Sequence, residues 1–279
     1  MKSIFDKISE ESTQSITKNY STSFNIAVTL LAPSIRQAIY NIYGFVRVAD
    51  EIVDSFEGFP QEDLLNKFEQ DYYEAQVIGI STNPVINAFI NTVKKYNIDA
   101  ELIQAFMNSM RADLSKKDYA TTEEINKYIY GSADVVGLMC LKVFVNGEQT
   151  AYNKLKDPAM KLGSAFQKVN FLRDLKQDYE DLNRTYFPNV TTDNITDIEK
   201  NKIIAAIRND FKIAYEGLKK LPKEAKFGVY VAYKYYLKLL KNIEKASTKS
   251  LTENRIRVSN PVKTFLLLES YIKYRLNLV

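Results

Sequence analysis

Apolar residues recur every three or four positions along most of the chain, a spacing that predicts amphipathic helices. Proline, glycine and capping residues mark where these helices begin and end. The predicted helices run from Pro33 to about Phe56, Glu62 to Val77, Pro84 to Tyr96, Ala100 to Leu114, Thr121 to Val145, Asp157 to about Tyr186, Ile195 to Leu218, Lys223 to Ala246 and Pro261 to Leu278. The breaks are short, so we predict a single all-α domain over residues 1–279, a helical bundle around a central cavity.

The composition agrees with a helical protein that has a substantial core. Hydrophobic residues make up 46% of the 279 residues, with only 9 Gly, 7 Pro and no Trp. No stretch reaches the roughly 18 consecutive apolar residues that predict a membrane span, and the first residues lack the apolar core of a signal peptide. The single cysteine, Cys140, cannot form a disulfide within the chain. We therefore expect a cytoplasmic protein.

The absence of histidine excludes several kinds of chemistry. No His occurs in the sequence, so there is no Ser-His-Asp triad, no imidazole base and no zinc or haem site ligated by imidazole. No glycine loop of the GxxxxGK[ST] or GxGxxG kind is present either. A bound diphosphate would have to be held by metal, Arg, Lys, Tyr and backbone groups.

Two pairs of aspartates carry the strongest chemical signal. Asp50 and Asp54 are four residues apart in one predicted helix, and Asp174 and Asp178 are four apart in another. Residues at this spacing lie on one helix face, where two like charges destabilise an isolated helix by roughly 0.2–0.5 kcal/mol. Bound Mg²⁺, which prefers oxygen ligands, would make the arrangement favourable. The pairs predict a magnesium site for an anionic ligand such as a diphosphate.

The second acidic pair belongs to a longer polar stripe on an otherwise apolar helix. Its members are Gln167, Asn170, Asp174 and Asp178. A helix that is apolar on most faces is a buried helix, and its polar groups need partners, which a metal-lined cavity supplies. Arg173 lies beside this stripe, and Arg47 lies one turn before Asp50. Both guanidinium groups can bind phosphate oxygens in a bidentate manner.

Positive charge is concentrated toward the end of the sequence. The net charge is +4, and from Arg255 onward five basic residues stand against Glu269 alone. These basic residues are Arg255, Arg257, Lys263, Lys273 and Arg275. The pattern favours weak contact with anionic lipid through residues 263–278. Without a dense basic cluster, we do not expect nucleic acid binding.

Several motifs together make the chain similar to the squalene/phytoene synthase family. They are Tyr20-Ser21-Thr22-Ser23-Phe24, Tyr43 to Asp54, Tyr128-Ile129-Tyr130-Gly131 with Val136-Gly137, Gln167 to Asp178, Arg184-Thr185-Tyr186-Phe187-Pro188, Tyr236, and Arg255 to Ser259. The match extends over nearly the whole sequence, and Ser259-Asn260-Pro261 most resembles bacterial phytoene synthases of carotenoid pathways. One departure is Asp134, which stands where the family usually has Gly.

The resemblance implies an isoprenoid synthase fold and head-to-head condensation of two prenyl diphosphates. The expected reaction joins two geranylgeranyl diphosphates to phytoene through a cyclopropyl diphosphate. The expected cofactor is Mg²⁺, as two or three ions for which Mn²⁺ can substitute, with no nicotinamide cofactor. The resemblance also implies peripheral contact with anionic membrane at the inner face of the cell membrane, and a downstream carotenoid desaturase as a candidate partner.

Residue roles follow from the same resemblance. The implied metal ligands are Asp50, Asp54, Asn170, Asp174 and Asp178. The implied substrate-binding residues are Tyr20, Ser21, Thr22, Ser23, Tyr43, Arg47, Gln167, Arg173, Tyr236 and Arg255. The implied catalytic residues are the four aspartates together with Tyr130, Arg173 and Tyr186, the two tyrosines lying near the reacting carbons.

Three alternatives remain open. A head-to-tail elongase or terpene cyclase would usually show an Asp-Asp-x-x-Asp motif, and neither acidic segment has adjacent aspartates. A dehydrosqualene or squalene synthase would use farnesyl diphosphate, and the reductive enzyme would also need a nicotinamide cofactor. A non-catalytic helical assembly factor could keep the fold without the chemistry, but the four intact aspartates argue against it.

Overall fold

The computed structural model describes residues 2–180, 184–188, 190 and 194–279. The α-helices are α1 (Lys2–Tyr20), α2 (Thr22–Thr29), α3 (Pro33–Ser55), α4 (Gln61–Ile78), α5 (Pro84–Tyr96), α6 (Ala100–Asp113), α7 (Thr122–Ile129), α8 (Val135–Phe144), α9 (Gln149–Arg173), α10 (Leu175–Glu180), α11 (Asp197–Leu218), α12 (Lys223–Lys245), α13 (Thr248–Glu253) and α14 (Asn260–Arg275). A π-helical turn, Tyr130–Asp134, joins α7 to α8. No β-strand occurs in these ranges, and the predicted all-α class is confirmed.

One hydrophobic core is centred on α3. This helix buries an almost continuous set of apolar residues because its sequence is apolar on more than one face. The Phe45 ring stacks on Phe89 of α5 with ring centroids 4.1 Å apart and contacts Phe68 of α4 at 5.1 Å. Residues of α6 and α8 complete this core. The helix that carries the first acidic pair is thereby held on several sides.

A second hydrophobic core forms where α9, α11 and α12 pack together. Val169 and Leu172 of α9 are buried in it with Ile207 and Phe211 of α11. The α9 and α11 backbones approach closely because Gly217 has no side chain, and a Cβ added there would lie 2.2 Å from the Cβ of Pro158. The helix that carries Gln167 and Asn170 is therefore anchored as firmly as α3.

The helix expected to begin at Asp157 begins eight residues earlier. The Glu148 carboxylate caps α9 by accepting hydrogen bonds from the backbone N–H groups of Thr150 at 3.0 Å and Ala151 at 2.9 Å. Proline lacks an N–H and often ends a helix, but here Pro158 lies within α9. This boundary prediction was wrong because an acidic cap upstream outweighed the proline signal.

Other differences concern helix breaks and short helices. The predicted helix through Val145 is divided by the π-helical turn, although the capping box of Thr121 and Glu124 is present as expected. The helix expected to reach Tyr186 ends at Arg173 and is followed by α10. The sequence pattern also missed α1, α2 and α13, which have few strongly periodic apolar positions. The described ranges therefore contain more helices than the nine or ten predicted.

None of the helices described is both long enough and apolar enough to span a lipid bilayer.

The π-helical turn packs tightly on α6 through a glycine. A Cβ added at Gly131 would lie 2.2 Å from the Ser109 Oγ atom and 2.7 Å from the Ala105 carbonyl oxygen. Gly131→Ala should therefore force the turn away from α6 and lower the free energy of unfolding by about 1–3 kcal/mol. Urea denaturation measures this change. Gly137→Ala is the control, because its added Cβ would come no closer than 3.3 Å to Ala159; equal losses for both variants would contradict the prediction.

Candidate active site

The first acidic pair lies in the last two turns of α3 and is paired with arginines. The Asp50 carboxylate accepts a hydrogen bond from Arg47 at 2.6 Å, and Arg47 also binds Glu51. The Arg47 guanidinium lies over the Tyr20 ring, 4.4 Å from its centroid. The α-helical spacing places Arg47, Asp50 and Glu51 on adjacent positions of one surface. Arg47 thus connects the acidic pair to the end of α1.

Arg184 connects the first acidic pair to α6. Its side chain is only 3% exposed and donates a hydrogen bond to Asp54 at 2.8 Å. A second nitrogen donates to the backbone carbonyl of Asp113 at 2.9 Å. The Asp113 carboxylate in turn accepts a hydrogen bond from the Tyr128 hydroxyl at 3.1 Å. Because a buried guanidinium needs a charged partner, this network fixes the position of the Asp54 carboxylate.

The second acidic pair lies at the junction of α9 and α10. The Asp174 carboxylate is bound by Arg173, whose Nε donates at 2.9 Å, and by Arg255, whose Nε lies 2.7 Å away. The helix breaks at Asp174, but the backbone N–H of Asp178 still donates to the Asp174 carbonyl at 2.8 Å. Asp174 and Asp178 are therefore still one helical turn apart, as they would be in a continuous helix. Arg255, which is distant in sequence, reaches the site as the motif implies.

The two acidic pairs lie close enough to affect each other's ionisation. Burial raises the pKa of Asp178 to about 7, and the charges of Asp174 and Asp54 add to the increase. Burial also raises the pKa of Asp50 to about 6, together with the charge of Asp54. Since Asp54 lies on α3 and Asp178 on α10, the structure brings the two pairs to one site, with crowded negative charge between them.

An apolar cavity of about 350 Å³ opens beside these carboxylates. Its polar lining residues include Gln167, Asn170 and Tyr236, and most of the rest of its wall is apolar. The Tyr236 hydroxyl lies 3.2 Å from the Asn170 side-chain oxygen, and its ring stacks on Phe166 at 3.9 Å. The cavity runs along α9 from Asn170 back to Leu155, which is about 22 Å of helix. It lies between the two hydrophobic cores.

The segment from Tyr20 to Ser23 forms the turn between α1 and α2. The Ser21 hydroxyl caps α2 by accepting a hydrogen bond from the backbone of Phe24 at 3.3 Å, and Thr22 is the first residue of that helix. Ser23 accepts a hydrogen bond from Lys263 at 2.9 Å. The next residue, Phe24, lines the cavity and stacks on Tyr43, which also lines it, at 4.6 Å. This motif therefore lies near Arg47 and at the cavity.

Tyr186 lies in an aromatic cluster behind the acidic site. Its ring stacks on Phe171 at 3.8 Å and contacts Tyr128 at 5.6 Å and Tyr119 at 5.8 Å. Burial raises the pKa of Tyr186 and Tyr128 well above the ordinary value of a tyrosine. The hydroxyl groups therefore stay protonated at neutral pH.

Tyr130 is not brought into that aromatic cluster. It begins the π-helical turn and packs against the core around α3. Tyr128, two residues earlier, contacts Tyr186 instead. The motif Tyr128-Ile129-Tyr130 contains both tyrosines, and the catalytic role expected for Tyr130 stays a prediction.

The sequence interpretation assigned no role to Arg184, Asp113 or Tyr128. Arg184 belongs to the family motif at residues 184–188, and this motif was the only feature of the sequence that indicated a functional role for it. Asp113 is the last residue of α6, and nothing in its local sequence distinguished it from a solvent-exposed aspartate. Its burial raises its pKa to about 7, an effect that Arg184 opposes. Asp134, the departure from the family pattern, is buried and accepts a hydrogen bond from Ser164 at 2.8 Å.

The donor atoms at this site suit a hard divalent cation. The side chains of both acidic pairs and Asn170 offer only carboxylate and amide oxygens, which are the ligands that Mg²⁺ prefers. Within the ranges described, no three carboxylates are arranged to hold a metal ion by themselves, and arginines occupy the carboxylates instead. The donor set therefore fits ions held jointly by an acidic pair and by the oxygens of a phosphate ligand.

The raised pKa of Asp178 predicts a pH-dependent destabilisation that its removal would relieve. With a pKa of about 7 in the folded chain against an ordinary 3.8, the ionised carboxylate destabilises the protein fully above pH 7 and not at all below about pH 4. Without metal, Asp178→Asn should therefore raise the Tm above that of the wild type at pH 8, by about 2 °C or more, with a smaller gain at pH 5. Thermal denaturation in EDTA measures both values.

Glu180→Gln is the matched control, since Glu180 is an exposed acid on the same short helix. It should leave the Tm almost unchanged at both pH values. A gain for Asp178→Asn that is equal at pH 5 and pH 8 would show that its carboxylate is not the source of the effect.

Comparison with known proteins identifies the family. The sequence profile of the squalene/phytoene synthase family matches residues 17–261. The phytoene synthase of Arthrospira platensis is 29% identical over 266 residues, which cover 85% of this chain and 84% of the relative. The 15-cis-phytoene synthase of Synechocystis sp. is 28% identical over 286 residues, which cover 92% of this chain and 83% of the relative.

Solved structures share the fold. A dehydrosqualene synthase in complex with a ligand superimposes with a TM-score of 0.82 at 22% identity, covering 97% of this chain and 98% of the other. The squalene synthase HpnC from Alicyclobacillus acidocaldarius gives a TM-score of 0.76 at 20% identity, covering 87% and 95%. The expected isoprenoid synthase fold is thus confirmed. Since the family profile extends over most of the sequence and the motifs that carry it converge on one site, the chain belongs to the squalene/phytoene synthase family.

Proposed function

We propose that this protein is a Mg²⁺-dependent prenyltransferase that joins two geranylgeranyl diphosphates head to head to give phytoene in carotenoid biosynthesis. The observation that carries the proposal is the placement of two arginine-paired acidic pairs at the polar end of a long apolar cavity. The polar end suits a diphosphate and its counterions, and the cavity suits a prenyl chain. The phytoene synthase relatives support the choice of product.

The arginines of the site would bind the diphosphate groups. Arg47, Arg173 and Arg255 each hold a carboxylate in the structure. A guanidinium that binds a carboxylate in a bidentate manner binds a phosphate in the same way. When substrate and metal enter together, these arginines would exchange carboxylate oxygens for phosphate oxygens. Net charge at the site is then nearly conserved, which lowers the electrostatic cost of binding a highly charged ligand.

The carboxylates of both acidic pairs would hold the metal ions. Asp50 and Asp54 would serve one side of the site, and Asn170, Asp174 and Asp178 the other. Bound Mg²⁺ supplies Lewis-acid stabilisation of the charge that develops on a departing diphosphate. Arg184 keeps Asp54 in place throughout, because it is buried and also bound to the backbone of α6. Tyr236 orients the Asn170 side chain by its contact with the amide oxygen.

The cavity wall would shelter the carbocations. Departure of the first diphosphate leaves an allylic cation, which the double bond of the second substrate attacks. Loss of one proton gives the cyclopropyl diphosphate, and departure of the second diphosphate with loss of another proton leaves the central triene. Phe24, Tyr43, Phe166 and Tyr236 line the cavity with aromatic rings that stabilise positive charge without reacting with it. Gln167 and the Tyr20–Ser23 turn would position the diphosphate end of the chain.

The proton acceptor is not a tyrosine of the aromatic cluster. Tyr128 and Tyr186 have raised pKa values because they are buried, so neither supplies a phenolate at neutral pH. Their rings lie near the acidic site and would exclude water from the cations. With no histidine in the chain, the released diphosphate, which carries several negative charges and lies next to the cation, is the base that we assign.

Metal removal and product analysis test the reaction together. Incubation of the protein with geranylgeranyl diphosphate and Mg²⁺ should give phytoene, EDTA should abolish product, and added Mg²⁺ should restore it. Mn²⁺ should support part of the activity, and NADPH should leave the product unchanged. Gas or liquid chromatography of the extracted hydrocarbon gives the readout. Dehydrosqualene from farnesyl diphosphate as the main product would revise the chain length, whereas turnover in EDTA would refute the metal assignment.

Asp174→Asn tests the carboxylate that Arg173 and Arg255 both bind. The amide keeps the shape of the side chain but loses the negative charge that would hold the cation. Turnover should fall by about 10²–10³-fold, the size of effect that follows loss of one group stabilising developing charge. Circular dichroism should show an unchanged helical content. Glu180→Gln should retain wild-type turnover, and near-normal activity of Asp174→Asn would remove this residue from the metal site.

A further inference from the structure

Arg184 is a buried cation whose charge two carboxylates compensate. Its side chain is 3% exposed and donates one hydrogen bond to the Asp54 carboxylate at 2.8 Å and another to the Asp113 backbone carbonyl at 2.9 Å. Burial lowers the pKa of Arg184, but the charge of Asp113, and after it that of Asp54, raises it above the ordinary value of an arginine. The guanidinium therefore stays charged and depends on both acids.

The backbone fixes the position of Arg184 independently of its side chain. The Arg184 N–H donates a hydrogen bond to the Asp178 carbonyl at 2.8 Å. The next residue, Thr185, donates its N–H to the Lys117 carbonyl at 2.9 Å, which ties this segment to the chain just after α6. Since the segment is held on both sides, the guanidinium stays in place when the Asp54 carboxylate binds another cation.

The Asp113 carboxylate is anchored in the aromatic cluster behind the acidic site. Asp113 is the last residue of α6 and is 3% exposed, and its carboxylate accepts a hydrogen bond from the Tyr128 hydroxyl at 3.1 Å. Burial raises the pKa of Asp113 to about 7, whereas the charge of Arg184 lowers it. At pH 8 the carboxyl is therefore mostly ionised and supplies a negative charge to Arg184.

A cation bound at Asp54 would change this charge balance. Arg184 uses one oxygen of the Asp54 carboxylate, Oδ1, which leaves Oδ2 for a metal ion. The negative charge of Asp54 would then be divided between the metal and the guanidinium. A buried charge that loses its compensation is costly, and two cations that share one carboxylate repel each other. A second carboxylate beside Arg184 offsets both effects.

We propose that Asp113 is a positioning residue that sets the metal affinity of the first acidic pair by acting as the permanent counter-charge of Arg184. With Asp113 ionised, Arg184 remains compensated while Asp54 binds a divalent cation, and it still holds the Asp54 carboxylate in place. Asp113 acts through Arg184 and does not itself bind the cation. This role rests on the proposed function, since the cation concerned is the one that the acidic pair would hold for the diphosphate.

Direct metal binding tests this role without catalysis. Equilibrium dialysis of the protein against Mn²⁺ at a fixed concentration of inorganic pyrophosphate, at pH 8, measures the bound metal. Asp113→Asn keeps an acceptor for the Tyr128 hydroxyl but loses the charge, so it should weaken Mn²⁺ binding about tenfold. Asp113→Glu keeps the charge and should restore most of the affinity. Glu101→Gln, which changes an exposed acid of the same helix, is the control and should bind Mn²⁺ like the wild type.

A double-mutant cycle shows whether Asp113 acts through Arg184. Arg184→Met removes the buried cation but keeps an apolar side chain in its place. In this background Asp113→Asn should change Mn²⁺ binding by less than about twofold, because no guanidinium is left to compensate. Unchanged binding by Asp113→Asn alone, or an equal loss in both backgrounds, would overturn the proposal. A loss that Asp113→Glu fails to restore in a folded protein, as checked by thermal denaturation, would also overturn it.

The Mg²⁺ dependence of turnover gives a second measurement. Asp113→Asn should raise the half-saturating Mg²⁺ concentration about tenfold, with most of kcat recovered at saturating Mg²⁺. A fall in kcat at an unchanged half-saturating concentration would contradict a role in metal affinity. The dialysis experiment contains no prenyl diphosphate, so it is independent of the condensation reaction. A protein that binds Mn²⁺ as expected but forms no hydrocarbon would refute the proposed function alone.

Discussion

Crowding of negative charge at the mouth of an apolar cavity is the constraint on which the site depends. Four aspartates from α3 and from the junction of α9 and α10 meet there, and burial raises the pKa of Asp50 and of Asp178. Arginines from four different parts of the chain compensate this charge. The site therefore suits a ligand that enters together with metal cations and carries phosphate anions. A neutral or singly charged ligand could not replace the existing ion pairs without leaving a buried charge unpaired.

The two hydrophobic cores give this arrangement its rigidity. One core holds α3, which carries Asp50 and Asp54, and the other holds α9, whose last residue directly precedes Asp174. The cavity between the cores is bordered by both. Packing of this kind limits how far the two acidic pairs can separate or approach. The distance between them is therefore a property of the fold more than of local side-chain flexibility.

Much of this organisation could be predicted from local patterns. The spacing of Asp50 and Asp54 and the apolar periodicity of α3 depend only on helix geometry. Arg184, Asp113 and Tyr128 could not be found in that way, because their roles arise from contacts between segments distant in sequence. The start of α9 was predicted wrongly because Pro158 is a typical first-turn residue, whereas the cap of this helix is the Glu148 carboxylate further upstream.

The π-helical turn has a further consequence for the inner surface of the cavity. A π-turn holds one residue more than an α-helical turn, and such a residue rotates everything after it by about 100° about the helix axis. The cavity-lining side of α8, with Val136, Gly137 and Cys140, is therefore set by five residues that precede it. Removing one residue from Tyr130–Asp134 would turn a different side of α8 toward the cavity, although the amino-acid sequence of α8 itself would be unchanged. Insertions and deletions in this turn are thus a route by which the shape of the cavity could change between related proteins in a single step.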